Sequence, residues 1–366
     1  MADRALTLAH FFPSFSLGGQ QRRLATLVEG LGPRFTHRIY SLDGDLGAAS
    51  LLDGAVGVRV EPLSIRKTSF LSLSNIARLR KAITQSGADL LCTYNFGSVE
   101  AALANRFGPN IAHVHHEDGF GADEASGEIG RRVLARRIAL AGAKVTVPSM
   151  TLQRIAVDRW RLSEKNVTRI TPGIDLPRFQ NIARIQRDEI IIGAVGALRA
   201  EKNFARLIRC FEMAAADCAA RLVIFGDGPE RDILERSVAA SPMRERIRFA
   251  GATQKPELAL AEIDIFALTS DTEQTPISLM EAMAAGLPAI ATDVGDVRAL
   301  LGSAAQGNVF AIDDEAGLAR RLSELARDER KRREIGALNA ETATGFARKP
   351  MIDAFKTLYL ETAGIR

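Results

Sequence analysis

Cysteine is scarce in this sequence, and long apolar runs are missing. The 366 residues include three cysteines, Cys92, Cys210 and Cys218, and none of them forms a CxxC pair. This spacing argues against a zinc site and predicts free buried thiols in a reducing compartment. No stretch approaches the roughly 20 apolar residues of a membrane span, and the first apolar run is too short for a signal peptide. We therefore expect a cytoplasmic protein.

A large excess of one charge sign is also missing. The net charge is +4, and we expect no nucleic-acid partner. Residues 1–175 carry 22 Lys and Arg against 16 Asp and Glu, whereas residues 176–366 carry 26 against 28. The basic half contains Arg131-Arg132, Arg136-Arg137 and Arg159-Trp160-Arg161. A basic face with a tryptophan suits peripheral contact with anionic lipid at the inner face of the cell membrane. Ordinary solvated helix charges are the alternative.

Length and pattern predict two α/β domains. With 46% hydrophobic and 25% charged residues, the chain can form two cores of roughly 150 to 200 residues each. Short β-rich runs alternate with helical segments in both halves, which is typical of doubly wound parallel sheets. The predicted strands are residues 5–10, 37–41, 58–62, 90–92, 111–114, 144–147, 190–195, 221–225, 247–249, 263–267 and 289–292. The predicted domains are residues 1–178 and 186–348, followed by a terminal helix in 349–366.

One segment of the second half has a clear residue signal at every junction between strand, loop, helix and turn. Thr275 suits a helix N-cap and Pro276 suits the first helical position, while Gly286 ends the helix. This places Glu273 in the loop and Glu281 inside the helix. In an open parallel sheet, loops at the carboxyl ends of the strands form the ligand crevice. The N-terminal end of the following helix suits a phosphate or sugar hydroxyls.

The same segment carries a resemblance to a known family. Residues 272–288, TEQTPISLMEAMAAGLP, resemble the E-x7-E signature of retaining glycosyltransferase family 4. The resemblance implies a GT-B fold, in which two Rossmann-like doubly wound domains face a cleft and a C-terminal helix crosses back. It also implies that Glu273 lies beside the donor sugar and that Glu281 accepts hydrogen bonds from the ribose hydroxyls. The residues that would line the donor site after the first glutamate are Gln274, Thr275, Pro276 and Ile277. Gln274 replaces the glycine that is usual there.

A second loop is similar to the diphosphate-binding segment of that family. Residues 195–203, VGALRAEKN, follow a predicted strand and resemble the loop that supplies an arginine and a lysine to the donor. Lys202 matches the lysine position, where a cation would stabilise the charge that grows on the leaving diphosphate. Ala197 stands where the family usually has its arginine, and Arg199 is the candidate replacement.

Glycine and histidine positions extend the resemblance. Gly18 and Gly19, between the first strand and the first helix, resemble an N-terminal glycine loop that contacts the donor phosphates or the acceptor; a plain turn is the alternative. Gly228 lies in a strand-end turn that resembles one near the nucleotide. At the end of another strand, His115 or His116 would contact the donor sugar, and the sequence does not decide which imidazole faces it.

The resemblance implies a retaining, hexosyltransferase-type enzyme in cell-surface polysaccharide or glycolipid synthesis. Its donor would be a UDP-sugar or a GDP-sugar, and its acceptor a hydroxyl of a sugar, a lipid-linked oligosaccharide or a glycolipid. The implied catalytic residues are Glu273, Lys202 and His115. No cofactor is expected, and no metal is needed if cations and a helix N-terminus neutralise the diphosphate; a metal site on His113 and His115 lacks a distant partner motif. The alternatives are a non-catalytic subunit that binds nucleotide sugar and a GT-B-fold nucleotide-sugar 2-epimerase.

Overall fold

The computed structural model describes residues 5–65, 72–119, 129–185, 187–216 and 218–365. The chain forms two compact units. The first unit comprises Met1–Pro172 and Arg348–Arg366, and the second comprises Gly173–Ala347. The sequence placed the first boundary a few residues later, at 178. The difference arises because Ile174 and Phe179 are buried in a core of the second unit.

The first unit is built on a seven-stranded parallel sheet. Its strands are β1 (Leu6–Phe12), β2 (Phe35–Ser41), β3 (Val58–Pro62), β4 (Leu90–Tyr94), β5 (Ala112–His116), β6 (Lys144–Val147) and β7 (Val167–Arg169). They pair in the order β3-β2-β1-β4-β5-β6-β7. The helices between them are α1 (Gly19–Leu31), α2 (Leu73–Ser86), α3 (Val99–Arg106), α4 (Gly130–Ala139) and α5 (Met150–Asp158).

The second unit repeats the plan with six parallel strands. They are β8 (Ile190–Val195), β9 (Ala220–Phe225), β10 (Ile247–Gly251), β11 (Ile265–Leu268), β12 (Ala289–Thr292) and β13 (Val309–Phe310), in the order β10-β9-β8-β11-β12-β13. The helices are α6 (Leu176–Phe179), α7 (Phe204–Ala215), α8 (Arg231–Ala239), α9 (Pro256–Glu262), α10 (Ile277–Ala284), α11 (Val297–Leu301), α12 (Glu315–Arg327) and α13 (Glu329–Ala343).

The last helix, α14 (Arg348–Thr362), belongs to the first unit. Its residues Phe355, Leu358 and Tyr359 are buried in the same core as β1 and α1. Their spacing places them on one face of the helix, and this face completes the core over the sheet.

The doubly wound α/β prediction is confirmed. Central strands such as β4 and β12 are buried at every position, as expected for a parallel sheet that helices cover on both faces. The sequence missed β7 and β13, because they contain only three and two residues and no periodicity can be recognised over so short a run. None of the helices in the described part of the chain is long and apolar enough to span a bilayer.

Trp160 is fully buried in the first unit. Its ring lies 4.8 Å from the guanidinium carbon of Arg136, which is also buried. Such contact between a cation and an aromatic face stabilises a charge withdrawn from water. The expectation that Trp160 rests on a lipid surface is therefore wrong, because this side chain packs against a buried arginine inside the core.

Candidate active site

The carboxyl ends of β8 and β11 bring Lys202 and Glu273 together. The two strands are hydrogen-bonded neighbours, so the loops that follow them leave the same edge of the sheet. Lys202 Nζ lies 2.5 Å from Glu273 Oε1, and Ser270 Oγ donates to the same oxygen at 2.8 Å. The Glu273 side chain is 10% exposed and that of Lys202 is 27% exposed. The residues predicted to bind the sugar and the diphosphate thus form one ion pair.

The Lys202 loop is supported by the turn that follows β9. The lysine ends a short 3-10 turn, Ala200–Lys202. Just before this turn, Leu198 N–H donates to the Asp227 carbonyl at 2.9 Å. Gly228 has φ +154°, and a Cβ there would lie 2.6 Å from the Leu198 carbonyl oxygen. Gly228 therefore permits two backbone segments to pack closely. Arg199 is exposed on the same loop.

Helix α10 begins one residue later than the sequence indicates. Pro276 is its N-cap, with an extended backbone at φ −70° and ψ 111°. The Pro276 carbonyl accepts hydrogen bonds from Leu279 and Met280. The prediction of Thr275 as cap and Pro276 as first helical residue is therefore wrong by one position, because a carbonyl that accepts the first helical bonds belongs to the cap. The first helical residue is Ile277.

Gly295 supports the Glu273 loop from the neighbouring strand. It follows β12 with φ +54°, and a Cβ there would lie 2.1 Å from the Glu273 carbonyl oxygen. The next N–H, that of Asp296, donates to the Gln274 carbonyl at 3.0 Å. Sequence reasoning missed this contact, because a single glycine after a strand signals only a turn. Glu281 lies further along, inside α10, where it is half-buried.

In the first unit, the two predicted histidines of β5 hydrogen-bond to different neighbouring strands. His115 Nδ1 lies 2.8 Å from Thr93 Oγ1 on β4. His116 Nδ1 lies 2.9 Å from Thr146 Oγ1 on β6, and its Nε2 lies 3.3 Å from the Tyr359 hydroxyl. Both imidazoles are buried. Their contact with a donor sugar stays a prediction.

Burial lowers the pKa of two imidazoles on β5, those of His113 and His116. Burial, with a smaller contribution from His115, lowers the pKa of His113 to about 3. Burial, followed by the charge of Arg23, lowers the pKa of His116 well below its ordinary value. These rings are therefore neutral at physiological pH. Among the described residues, no group of three or more His, Cys, Asp or Glu side chains is arranged to hold a metal ion.

The glycine segment is attached to the end of β5 through Asp118. Gly18 has an extended backbone and Gly19 is the first residue of α1. Gln20 Nε2 donates to Asp118 Oδ2 at 2.5 Å, and Arg23 Nη2 donates to the same oxygen at 2.7 Å. This connection spans nearly 100 positions of sequence, so no local pattern predicts it.

Two doubly wound parallel sheets, one with a lysine–glutamate pair at its carboxyl edge, define a GT-B protein. Residues 17–178 match the family model described as Glycosyltransferase Family 4, and residues 177–341 match the model described as Glycosyl transferases group 1. The chain belongs to the group 1 glycosyltransferases, and its Glu273 and Glu281 lie within the second match.

Relatives of known activity match part of the chain. Over 188 residues it is 26% identical to N-acetyl-alpha-D-glucosaminyl L-malate synthase of Bacillus anthracis, a match that covers 51% of this chain and 49% of the relative. Over 172 residues it is 28% identical to the lipopolysaccharide core biosynthesis glycosyltransferase LpsE of Rhizobium meliloti, which covers 47% and 50%. The matches thus span about half the length of these curated relatives.

A solved structure matches over the whole length. HepE of Anabaena in complex with UDP-glucose superposes with a TM-score of 0.80 and covers 98% of this chain and 100% of that chain. The sequences are 18% identical, so this likeness shows the fold alone.

Proposed function

We propose that the chain is a retaining glycosyltransferase that transfers a hexose from a UDP-sugar or a GDP-sugar to an acceptor hydroxyl. The observation that carries the proposal is the pair of Lys202 and Glu273 at the ligand-binding edge of the second-unit sheet, with Nζ and Oε1 2.5 Å apart. An ammonium group suits an anionic diphosphate, and a carboxylate suits the hydroxyls of a sugar. The diphosphate and the sugar, which are bonded to each other in the donor, thus each find a complementary group at one edge.

The assigned roles follow the chemistry of the bond that breaks. Negative charge grows on the diphosphate as its bond to the sugar lengthens, and Lys202 stabilises that charge electrostatically. The N-terminal end of α10 adds a positive dipole end. The acceptor hydroxyl attacks from the face that the diphosphate leaves, and the departing oxygen takes the hydroxyl proton, so the anomeric configuration is retained. Glu273 binds the sugar, and Glu281 binds the ribose.

Nucleotide binding and transfer by matched variants test the proposal. Thermal shifts with UDP, GDP and their sugars identify the donor, because a ligand that binds only the folded protein raises its melting temperature. Lys202→Ala and Glu273→Ala are expected to abolish transfer in a folded protein. Lys331→Ala, which removes a lysine paired with Glu324 on α12 and α13, is the control and keeps full transfer. Wild-type turnover by either site variant contradicts the assignment.

The same assays separate the alternative functions. A 2-epimerase converts its nucleotide sugar when no acceptor is present, and product analysis without acceptor detects this. A non-catalytic subunit binds the donor and never releases nucleotide across a broad panel of acceptors. Acceptor-dependent release of nucleoside diphosphate is the result expected of a transferase.

We further propose that the acceptor is presented at the cytoplasmic face of a membrane, as a lipid-linked oligosaccharide, glycolipid or growing polysaccharide. Helix α4 supports this proposal. Arg131, Leu134 and Ile138 are exposed and lie three, four and seven positions apart, hence on one helix face. Exposed Arg137 adds a further positive charge. Basic groups beside apolar side chains suit an anionic lipid surface, at about 1 kcal/mol for each cation near the surface.

Vesicle flotation tests the membrane contact. The wild-type protein is expected to float with vesicles that contain phosphatidylglycerol and not with pure phosphatidylcholine. Arg131→Glu with Arg137→Glu should abolish flotation. Arg330→Glu with Arg333→Glu, on exposed positions of α13, makes the same charge change elsewhere and should have no effect. Equal flotation of the wild-type protein with both vesicle types contradicts the proposal.

A further inference from the structure

A cluster of hydrogen bonds joins the two loops of the candidate site beside the ion pair. Asp271 N–H donates to the Glu201 carbonyl at 2.8 Å. Asn203 Nδ2 lies 3.1 Å from each carboxylate oxygen of Asp271. Arg206 Nη1 lies 2.7 Å from Asp271 Oδ1. Asp271 therefore contacts the residues that directly precede and directly follow Lys202.

Asn203 has a backbone conformation that few residues adopt. Its φ of 45° and ψ of 53° lie in the left-handed region, which asparagine tolerates better than most side chains. Its Oδ1 accepts from Arg206 N–H at 3.0 Å and so caps α7, while its Nδ2 donates to Asp271. An amide has both an acceptor and a donor. One side chain thus fixes the start of the helix and the end of the Lys202 turn.

Arg206 connects the same cluster to the strand that carries the glutamate loop. Its Nη1 donates to the Thr269 carbonyl at 2.8 Å, directly after β11. The Arg206 side chain is 10% exposed and that of Asp271 is 38% exposed. A guanidinium so far withdrawn from water requires a carboxylate partner. The Arg206 end of the cluster is therefore buried and ion-paired, whereas the Asp271 end is open to solvent.

We propose that Asp271 is a positioning residue for Lys202. By holding Asn203 and the Glu201 carbonyl, it fixes the turn between them, so that the Lys202 ammonium stays at the edge of the sheet beside Glu273. Asp271 acts through the Glu201 carbonyl on one side of the lysine and through the Asn203 side chain on the other. The inference rests on the proposed function, in which Lys202 binds the donor diphosphate. Disturbing Asp271 therefore weakens binding of the diphosphate and leaves binding of the nucleoside part unchanged.

An exchange of side chains gives a sharp test. Asp271→Asn places two amides opposite each other. Asn203→Asp keeps an oxygen that caps α7 and places two carboxylates opposite each other. The double variant, Asn203→Asp with Asp271→Asn, restores an amide opposite a carboxylate and keeps one negative charge in the cluster for Arg206. A gain on combining two damaging changes is the signature of direct coupling.

Calorimetric titration with UDP, GDP, UMP and GMP measures the effect. Each single variant is expected to bind the preferred nucleoside diphosphate about tenfold more weakly, within the range of coupling between contacting residues, and to bind the matching monophosphate as the wild type does. The double variant should return to within about threefold of the wild type. Glu189→Gln, which removes an exposed pair with Arg221 at the opposite edge of the sheet, is the control. Thermal melts of every variant verify folding.

Two results overturn the positioning role. One is unchanged diphosphate binding by both single variants. The other is an equal loss for monophosphates and diphosphates that the double variant does not restore, since general damage to the loop has that pattern. Absence of binding of all four nucleotides by the wild-type protein overturns the proposed function, and the inference falls with it.

Discussion

The pairing of Lys202 with Glu273 predicts that Glu273→Gln tightens the binding of a nucleoside diphosphate. The ammonium contacts the carboxylate at 2.5 Å, so a diphosphate that binds Lys202 competes with Glu273. Glutamine has nearly the same shape and still accepts the hydrogen bond from Ser270, yet it carries no charge. Removing the competing charge leaves the ammonium more available to the phosphates.

The exposure of the pair sets the magnitude. Exposed ion pairs contribute about 0.2 to 1 kcal/mol, and hydrogen bonds to charged groups contribute about 1.5 to 3 kcal/mol. With side chains that are 27% and 10% exposed, we take about 1 kcal/mol after allowing for solvent screening. Since about 1.4 kcal/mol corresponds to a tenfold change, binding of UDP or GDP is expected to tighten about fivefold.

Calorimetric titration of the wild type and Glu273→Gln with the preferred nucleoside diphosphate measures this change, and Glu189→Gln is again the control. The nucleotide sugar should show a smaller gain or a loss, because the predicted sugar contact of Glu273 is weakened. Transfer activity should fall even though the diphosphate binds more tightly. Weaker or unchanged diphosphate binding by Glu273→Gln would refute the competition between carboxylate and phosphate.

Three further predictions concern strain, packing and pH. Gly295→Ala is expected to cost about 1 to 3 kcal/mol of unfolding free energy from φ alone, with further loss from the clash with the Glu273 carbonyl. Gly251→Ala, at φ +81° with open space around the Cβ, should cost less. Urea titration of both variants measures the difference. Trp160→Ala is expected to cost about 3 to 5 kcal/mol, and a loss below about 1 kcal/mol in urea would contradict its burial in the core. Burial lowers the pKa of His37 to about 4 and that of His113, with a smaller effect of His115, to about 3, whereas unfolded histidines titrate near 6.5. Below about pH 6.5 the unfolded chain therefore binds more protons than the folded chain. The free energy of unfolding is full above that pH and decreases, as the pH is lowered further, by up to about 1.4 kcal/mol per pH unit for each histidine. Equal free energies of unfolding in urea titrations at pH 7.5 and 5.5 would exclude this.

The fold can be predicted from the sequence because buried parallel strands are short runs of consecutive apolar residues. The runs at β8 and β12 have the predicted bounds, Ile190–Val195 and Ala289–Thr292. The edge strand β7 is missed, because it has only three residues and one buried position among them. The ends of strands are equally hard to assign, as β5 continues to His116, two residues past its predicted end. Burial on both faces removes the alternation that would reveal the register.

The site could be predicted only as far as its residues follow local patterns. Lys202 and Glu273 each lie in a recognisable loop, yet the contact between them joins positions 71 residues apart. Asp271 and Gly295 act through backbone contacts with other loops, and a single sequence contains no signal for such pairs. Trp160 was placed on the surface because its arginine neighbours are basic, whereas its ring packs on Arg136 inside the core.

The order of the strands explains why the partner of Glu273 is Lys202. Spacing of eight residues puts Glu273 in a loop and Glu281 inside α10, so the two carboxylates are held by different elements and need not act as an acid–base pair. Because β8 pairs directly with β11, the loop after β8 is the neighbour of the glutamate loop at the carboxyl edge. The charge that balances Glu273 therefore comes from the loop after the first strand of the second unit. Gly228, Gly295 and Asp271 hold the backbones of both loops close enough for the two side chains to meet.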